Sequence, residues 1–168
     1  LRPRWEAQDL IPTEEIPEDM EDKRPREYGM PHWRDLFLPR QLLTNVVVLE
    51  ELRAAQDRVR AELPEAEAEA VSVYLAFILC KVISYNSVQN SWDDGRIKIR
   101  NAFPGHDYRF HAALTEMEGA RETVMWGATQ VLAAYRDIAR LIHGEPVSLA
   151  GSDDEEESEL HDRESAGD

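Results

Sequence analysis

The chain has 168 residues, one domain's worth, with 42% hydrophobic residues and a formal charge of −15. No apolar run approaches the roughly 18 residues of a membrane span and no signal-peptide pattern opens the chain, so no membrane partner is expected. The single Cys80 excludes an internal disulfide and a cysteine-cluster zinc site within these residues.

The charge is unevenly placed. Residues 151–168 hold nine acids against one arginine, and residues 1–150 hold 25 acids against 18 bases. The bases are nearly all arginine, with lysine only at Lys23, Lys81 and Lys98. Many acids with few lysines is a halophile-like composition, suited to a high-salt cytoplasm where surface repulsion is screened. A cytoplasmic location is expected. For the same reason the global charge does not rule out a DNA partner. The start at Leu1, without an initiator Met, suggests a piece of a longer chain or a processed product.

In chain order, residues 1–27 read as an extended, proline-rich lead-in. Pro3, Pro12, Pro17 and Pro25 recur too often for a helix and favour extended neighbours. Leu10, Ile11 and Ile16 could pin this strap to a neighbouring surface. Residues 28–146 read as a mainly helical module. The first helix begins near Pro39, suited to a first helical turn. Leu42, Val46, Leu49, Leu52, Val59 and Leu63 mark one face at helical spacing. Pro64 ends it and opens a second helix, whose later half (Val71 to Ile83) is apolar nearly all round and is expected to be buried on most sides. Cys80 falls there and reads as an inert core thiol. The two helices should form an antiparallel hairpin with a very short connection.

After Tyr85, Asn86 and Ser87, the turn signal Asp93-Asp94-Gly95 precedes Arg96, Lys98 and Arg100, which alternate with Ile97 and Ile99. That pattern suits a short strand or extended segment with one basic face. Tyr108, Phe110, Ala112 and Leu114 alternate again, as in a second short strand. Thr115 and Glu118 have capping-box spacing for a third long helix. Gly119 and Gly127 weaken its early part, so its start is expected near Thr123. Gly144 and Pro146 stop it. Residues 147–168 read as an acidic, disordered linker or tail.

No glycine-rich phosphate loop, CxxC or HExxH motif occurs, and the five histidines lack metal-ligand spacing. No residue is assigned a catalytic or metal-binding role. The set Arg96, Lys98, Arg100 and Asn101 is a candidate DNA-binding face, because cations on one side of an extended segment track a phosphate backbone. Tyr85, Asn86 and Trp92 are candidates for stacking on or hydrogen-bonding a base. The plain alternative is a solvent-facing strand whose aromatics pack on the second helix. Trp33 and Arg40 carry the same ambiguity: a core anchor and a partner for nearby acids, or the border of a cleft.

Several ordered blocks carry a resemblance. They are WEAQDLIPTEEIPE (Trp5 to Glu18), YGMPHWRDLFLPRQLL (Tyr28 to Leu43), YNSVQNSWDDGRIKIRNAF (Tyr85 to Phe103) and FHAALTEMEGA (Phe110 to Ala120), followed by the helix from Trp126 to His143 and Gly144. Together they resemble the large adenine-specific DNA methylases that contain a zinc ribbon. The resemblance covers roughly residues 5–143. It implies a segment of an S-adenosylmethionine-dependent DNA adenine methyltransferase, inserted between parts of a Rossmann-like α/β fold. That family's cofactor-binding glycine motif and zinc-ribbon cysteines precede the matching region, and its Asp-Pro-Pro-Tyr type motif follows it. None of these stands in this sequence, so no catalytic residue carries over, and S-adenosylmethionine and zinc belong to other parts of such a parent. The expected partners are DNA and the parent's remaining domains. The other reading is a non-catalytic helical module that binds a protein partner.

Overall fold

The structure, a computed structural model, describes residues 2–102, 108, 114–119 and 122–144. It is mainly helical, with one two-stranded antiparallel sheet. Two compact units divide at Val131/Leu132.

The first unit is organised on a helical hairpin. Helix α3 (Pro39–Glu62) and helix α4 (Glu65–Ser84) are joined at Leu63 and Pro64. Pro39 opens α3, where a missing N–H costs nothing. The Leu38 N–H donates to Gln41 Oε1 at 2.8 Å, filling one orphan position of the first turn. Pro64 sits just before α4, and its carbonyl accepts the Ala68 N–H.

The lead-in is not extended throughout, which corrects the sequence reading. Arg2–Ala7 forms a short helix, α1, and Arg24–Glu27 a single turn, α2. Pro3 and Pro25 both lie in first turns, the place where proline is tolerated in a helix. Nor is the lead-in a separate segment. Trp5, Leu10 and Ile11 are buried with Leu42 and Val46 of α3 in one cluster, with Phe37 and Leu49 packed against it. Between α1 and α2 the strap is fastened by backbone bonds. The Ile16 N–H donates to Pro31 O, and the Trp33 N–H donates to Glu14 O. Leu10, Ile11 and Ile16 are all buried, as their place in a proline-rich strap suggested. A short 3-10 turn (Trp33–Leu36) leads into α3.

Helix α4 is less buried than its apolar sequence predicts. Ala68 and Val82 are its buried residues, while Val73 and Phe77 are exposed. Cys80 is exposed as well, so the expected core thiol is a surface thiol among the described residues. The physical reason is coverage: an all-round apolar helix needs neighbours on every side, and α3 supplies one.

Helix α5 (Glu122–Ile142) starts close to the position expected from its glycines. The capping-box spacing misplaced its first turn, since Thr115 to Glu118 is not helical. Glu118 instead caps from outside: its carboxylate accepts the Glu122 N–H and its carbonyl accepts the Thr123 N–H. Gly119 is required by a close approach, because a Cβ there would meet Thr44 Cγ2 at 2.5 Å. In the second unit, Leu132, Tyr135, Ile138, Leu141 and Ile142 of α5 are exposed. The second strand expected at Tyr108–Leu114 and the acidic tail at 147–168 fall outside the described residues, apart from Tyr108 and Leu114.

Candidate nucleic-acid interface

Strands β1 (Ser91–Asp93) and β2 (Lys98–Arg100) form the hairpin that carries most of the candidate residues. Trp92 pairs with Ile99, Asp93 with Lys98 and Ser91 with Arg100. Because side chains alternate along a strand, this register puts Lys98 and Arg100 on one face, with Trp92 and Ile99 on the other. Contrary to the alternation, Arg96 is not on the strand. It lies with Asp94, Gly95 and Ile97 in the connecting turn.

A buried polar network holds the hairpin to the end of α4. Asn90 is its hub. Its Nδ2 donates to Ser84 O at 2.8 Å and to Arg100 O at 3.0 Å, and its Oδ1 accepts the Ser87 N–H at 2.7 Å. The Ala102 N–H also returns to Ser84 O, and the Val88 N–H donates to Leu36 O. Asn86 is 2% exposed. Its Nδ2 donates to Gln41 O and to Asn45 Oδ1, tying the end of α4 to the start of α3. Its side chain thus positions two helices and does not offer an amide to a base. This is the clearest departure from the reading of Asn86 as a cleft-bordering residue.

Asp93 organises the turn. Its Oδ1 accepts the Arg96 N–H and its Oδ2 accepts Arg100 Nε at 2.9 Å. The Arg100 hydrogen bond is the main reason its carboxyl is held below the usual carboxylate range, against the opposing effect of burial. Arg100 therefore spends part of its charge inside the hairpin. Trp92 is 47% exposed and Ile97 is 77% exposed. Ile97 has φ +50°, a left-handed conformation that costs a β-branched residue about 1–3 kcal/mol. Nothing in the sequence pattern singled Ile97 out beyond its alternation. The usable signal was a β-branched residue two positions after the glycine of a turn.

The remaining candidates are elsewhere. Tyr85 is half-buried and meets Trp126 edge-on, 4.8 Å between ring centres, and Lys81 Nζ lies 5.6 Å from the Trp126 ring centre. Trp33 is half-buried and its backbone N–H donates to Glu14 O of the strap. Arg40 is exposed and ion-paired with Glu116. Arg40 thus has the kind of ion-pair partner expected of it. Asn101 follows β2 and is half-buried.

A separate cleft of about 280 Å³ lies between the strap, α3 and α4, lined by Leu10, Ile11, Phe37, Val46 and Leu79. It is mostly apolar and offers no convergent set of titratable groups. Among the described residues, no cluster of three His, Cys, Asp or Glu could hold a metal ion, and no helix is long and apolar enough to cross a membrane. Comparison with protein-family models, with curated proteins and with solved structures finds no match.

Proposed function

We propose that this chain is the helical segment of an S-adenosylmethionine-dependent DNA adenine-N6 methyltransferase and supports the DNA without carrying the catalytic motif. The observation behind this reading is the β1–β2 hairpin. It is fixed at its base by Asn90 and presents Lys98 and Arg100 on one face, Arg96 in the turn and an exposed Trp92 on the other face. Cations on a rigid extended element suit a phosphate backbone, and an exposed indole suits a base. Methylating a base in a duplex requires turning it out of the stack, and this needs such contacts beside the cleft. The ordered blocks that resemble the zinc-ribbon adenine methylases point the same way. In this reading the module is an insertion in a Rossmann-like fold, S-adenosylmethionine and zinc are held by other parts of a cytoplasmic parent enzyme, and those parts are its protein partners.

A second reading, a non-catalytic protein-interaction module, is favoured by the exposed apolar side chains of α5. Reading the coding DNA on both sides separates the two. A glycine-rich cofactor motif and cysteine pairs upstream, with an Asp-Pro-Pro-Tyr type motif downstream, are expected. Stop and start codons at the ends of this segment would overturn the methylase reading. The direct test is a DNA titration at several salt concentrations. Arg96→Ala with Lys98→Ala should weaken binding and flatten the salt slope by about 1.8, two phosphate contacts at about 0.9 each. An unchanged slope would remove the hairpin from the interface.

A further inference from the structure

Ile97 is costly where it stands. Its left-handed backbone disfavours a β-branched side chain, and Gly or Asn would take the position with less strain. Burial does not compensate, because Ile97 is the most exposed of the large apolar residues among those described. Neither the turn nor the core accounts for an isoleucine here. A strained and exposed apolar residue is a candidate contact for a partner.

The surroundings say what kind of surface that is. Arg96 and Lys98 flank Ile97 directly in the chain. Residues 91–100 hold three cations against two acids, Asp93 and Asp94, in a chain whose formal charge is −15. Asp93 is engaged by Arg100 and by the Arg96 N–H, which leaves Asp94 as the acid opposing a polyanion. The Asn90 staple braces the hairpin at its base, so a load on the tip passes to the end of α4. A lone aliphatic side chain between two cations, on a braced tip, matches the chemistry of an apolar wedge. Such wedges enter a base step, unstack it and bend the duplex, while cations beside them neutralise phosphates.

We propose that Ile97 is a wedge that enters a base step of duplex DNA from the tip of the β1–β2 hairpin, with Arg96 and Lys98 on the flanking phosphates. This rests on the DNA-supporting reading above and adds a mechanical role to it. Partly unstacking a step lowers the cost of turning the neighbouring base out.

The test uses the full 168-residue chain and a duplex carrying 2-aminopurine, whose fluorescence rises when its stacking is lost. Binding of the unaltered chain should raise that fluorescence. Ile97→Gly suits the left-handed position, so the fold is kept and circular dichroism should be unchanged. The variant should retain the salt slope, bind about tenfold more weakly and lose the fluorescence rise. An equal rise with Ile97→Gly, or salt-dependent binding with no rise in either protein, overturns the wedge and leaves the DNA reading standing. No salt-dependent binding by the unaltered chain overturns both. Ile97-dependent binding to vesicles containing phosphatidylserine, with no rise on DNA, reassigns the tip to a membrane surface and overturns the wedge.

Discussion

Two regions of the α3–α4 hairpin draw on similar apolar residues and are buried very differently. Where α3 begins and α4 finishes, Leu42, Val46 and Val82 are sealed, and Gln41 is fully buried beside Asn45 and Asn86. Midway along α4, Val73 and Phe77 remain about half exposed. The difference is a third layer. The strap residues Trp5, Leu10 and Ile11 close over the first end. Two helices packed on each other bury one stripe each, and only a further element converts a stripe into a core. The closed end also holds polar side chains: Asn90 satisfies the Ser84 carbonyl that the end of α4 leaves open, and Asn86 donates to Gln41 O and Asn45 Oδ1 of α3.

The contrast is sharpest in Asn86→Ala. Removing the amide leaves Asn45 Oδ1 and the Gln41 carbonyl without their donor in a sealed site, so urea unfolding should show a loss of about 2–4 kcal/mol. A loss below about 0.5 kcal/mol would mean that the network contributes nothing and the apolar cluster alone closes this end. Next comes a matched pair of truncations. Leu42→Ala should cost about 2–4 kcal/mol, as a sealed leucine does. Phe77→Ala, half exposed midway along α4, should cost about 1 kcal/mol or less despite removing more atoms. Equal losses would erase the distinction between the two regions.

The smallest effect is on the hairpin that hangs from the closed end. Asp93 has its folded pKa lowered by the Arg100 hydrogen bond, so its contribution is present above the ordinary value of 3.8 and is lost as pH falls below it. Amide protection at Arg96 and Arg100 should hold down to about pH 4 and then decline, and Asp93→Asn should weaken it above that pH and make little difference once Asp93 is protonated. A decline already complete at about pH 5 would assign the turn to another group.

The helical hairpin was legible because proline punctuates it. Pro39 and Pro64 mark two helix starts whose boundaries the structure keeps. The start of α5 was legible from its glycines. Burial was not legible, because it depends on which surfaces meet. Nothing local separates Val82, fully buried, from Val73, half exposed, on the same apolar helix. The exposed Cys80 is the same misjudgement. The short α1 escaped because proline recurrence argued for extension, whereas Pro3 occupies a first turn. Within the candidate interface, the pairing of Lys98 and Arg100 on one face followed from alternation. Two features did not. The Asn90 hub joins residues that become neighbours only when the chain turns back on itself. The tip conformation of Ile97 depends on where the strand stops.

The strap is held largely by arginine. Arg53 donates to the carbonyls of Gln8 and Asp9, Arg34 reaches Glu6, and Arg26 donates to Ile16 O. The Arg53 bonds span 45 and 44 residues of sequence. A clasp of that span cannot close until α3 exists to carry it, because the loop entropy must be met before the contact returns anything. The order of events follows. Helix α3 is expected to form before the strap docks, because Arg53 is on that helix. By the same route the strap leaves first. In native-state hydrogen exchange, the Ile16 and Trp33 amides should open at lower free energy than those of α3, making the strap a separately opening unit whose release uncovers the Leu42–Val46 surface while the helical hairpin stays folded.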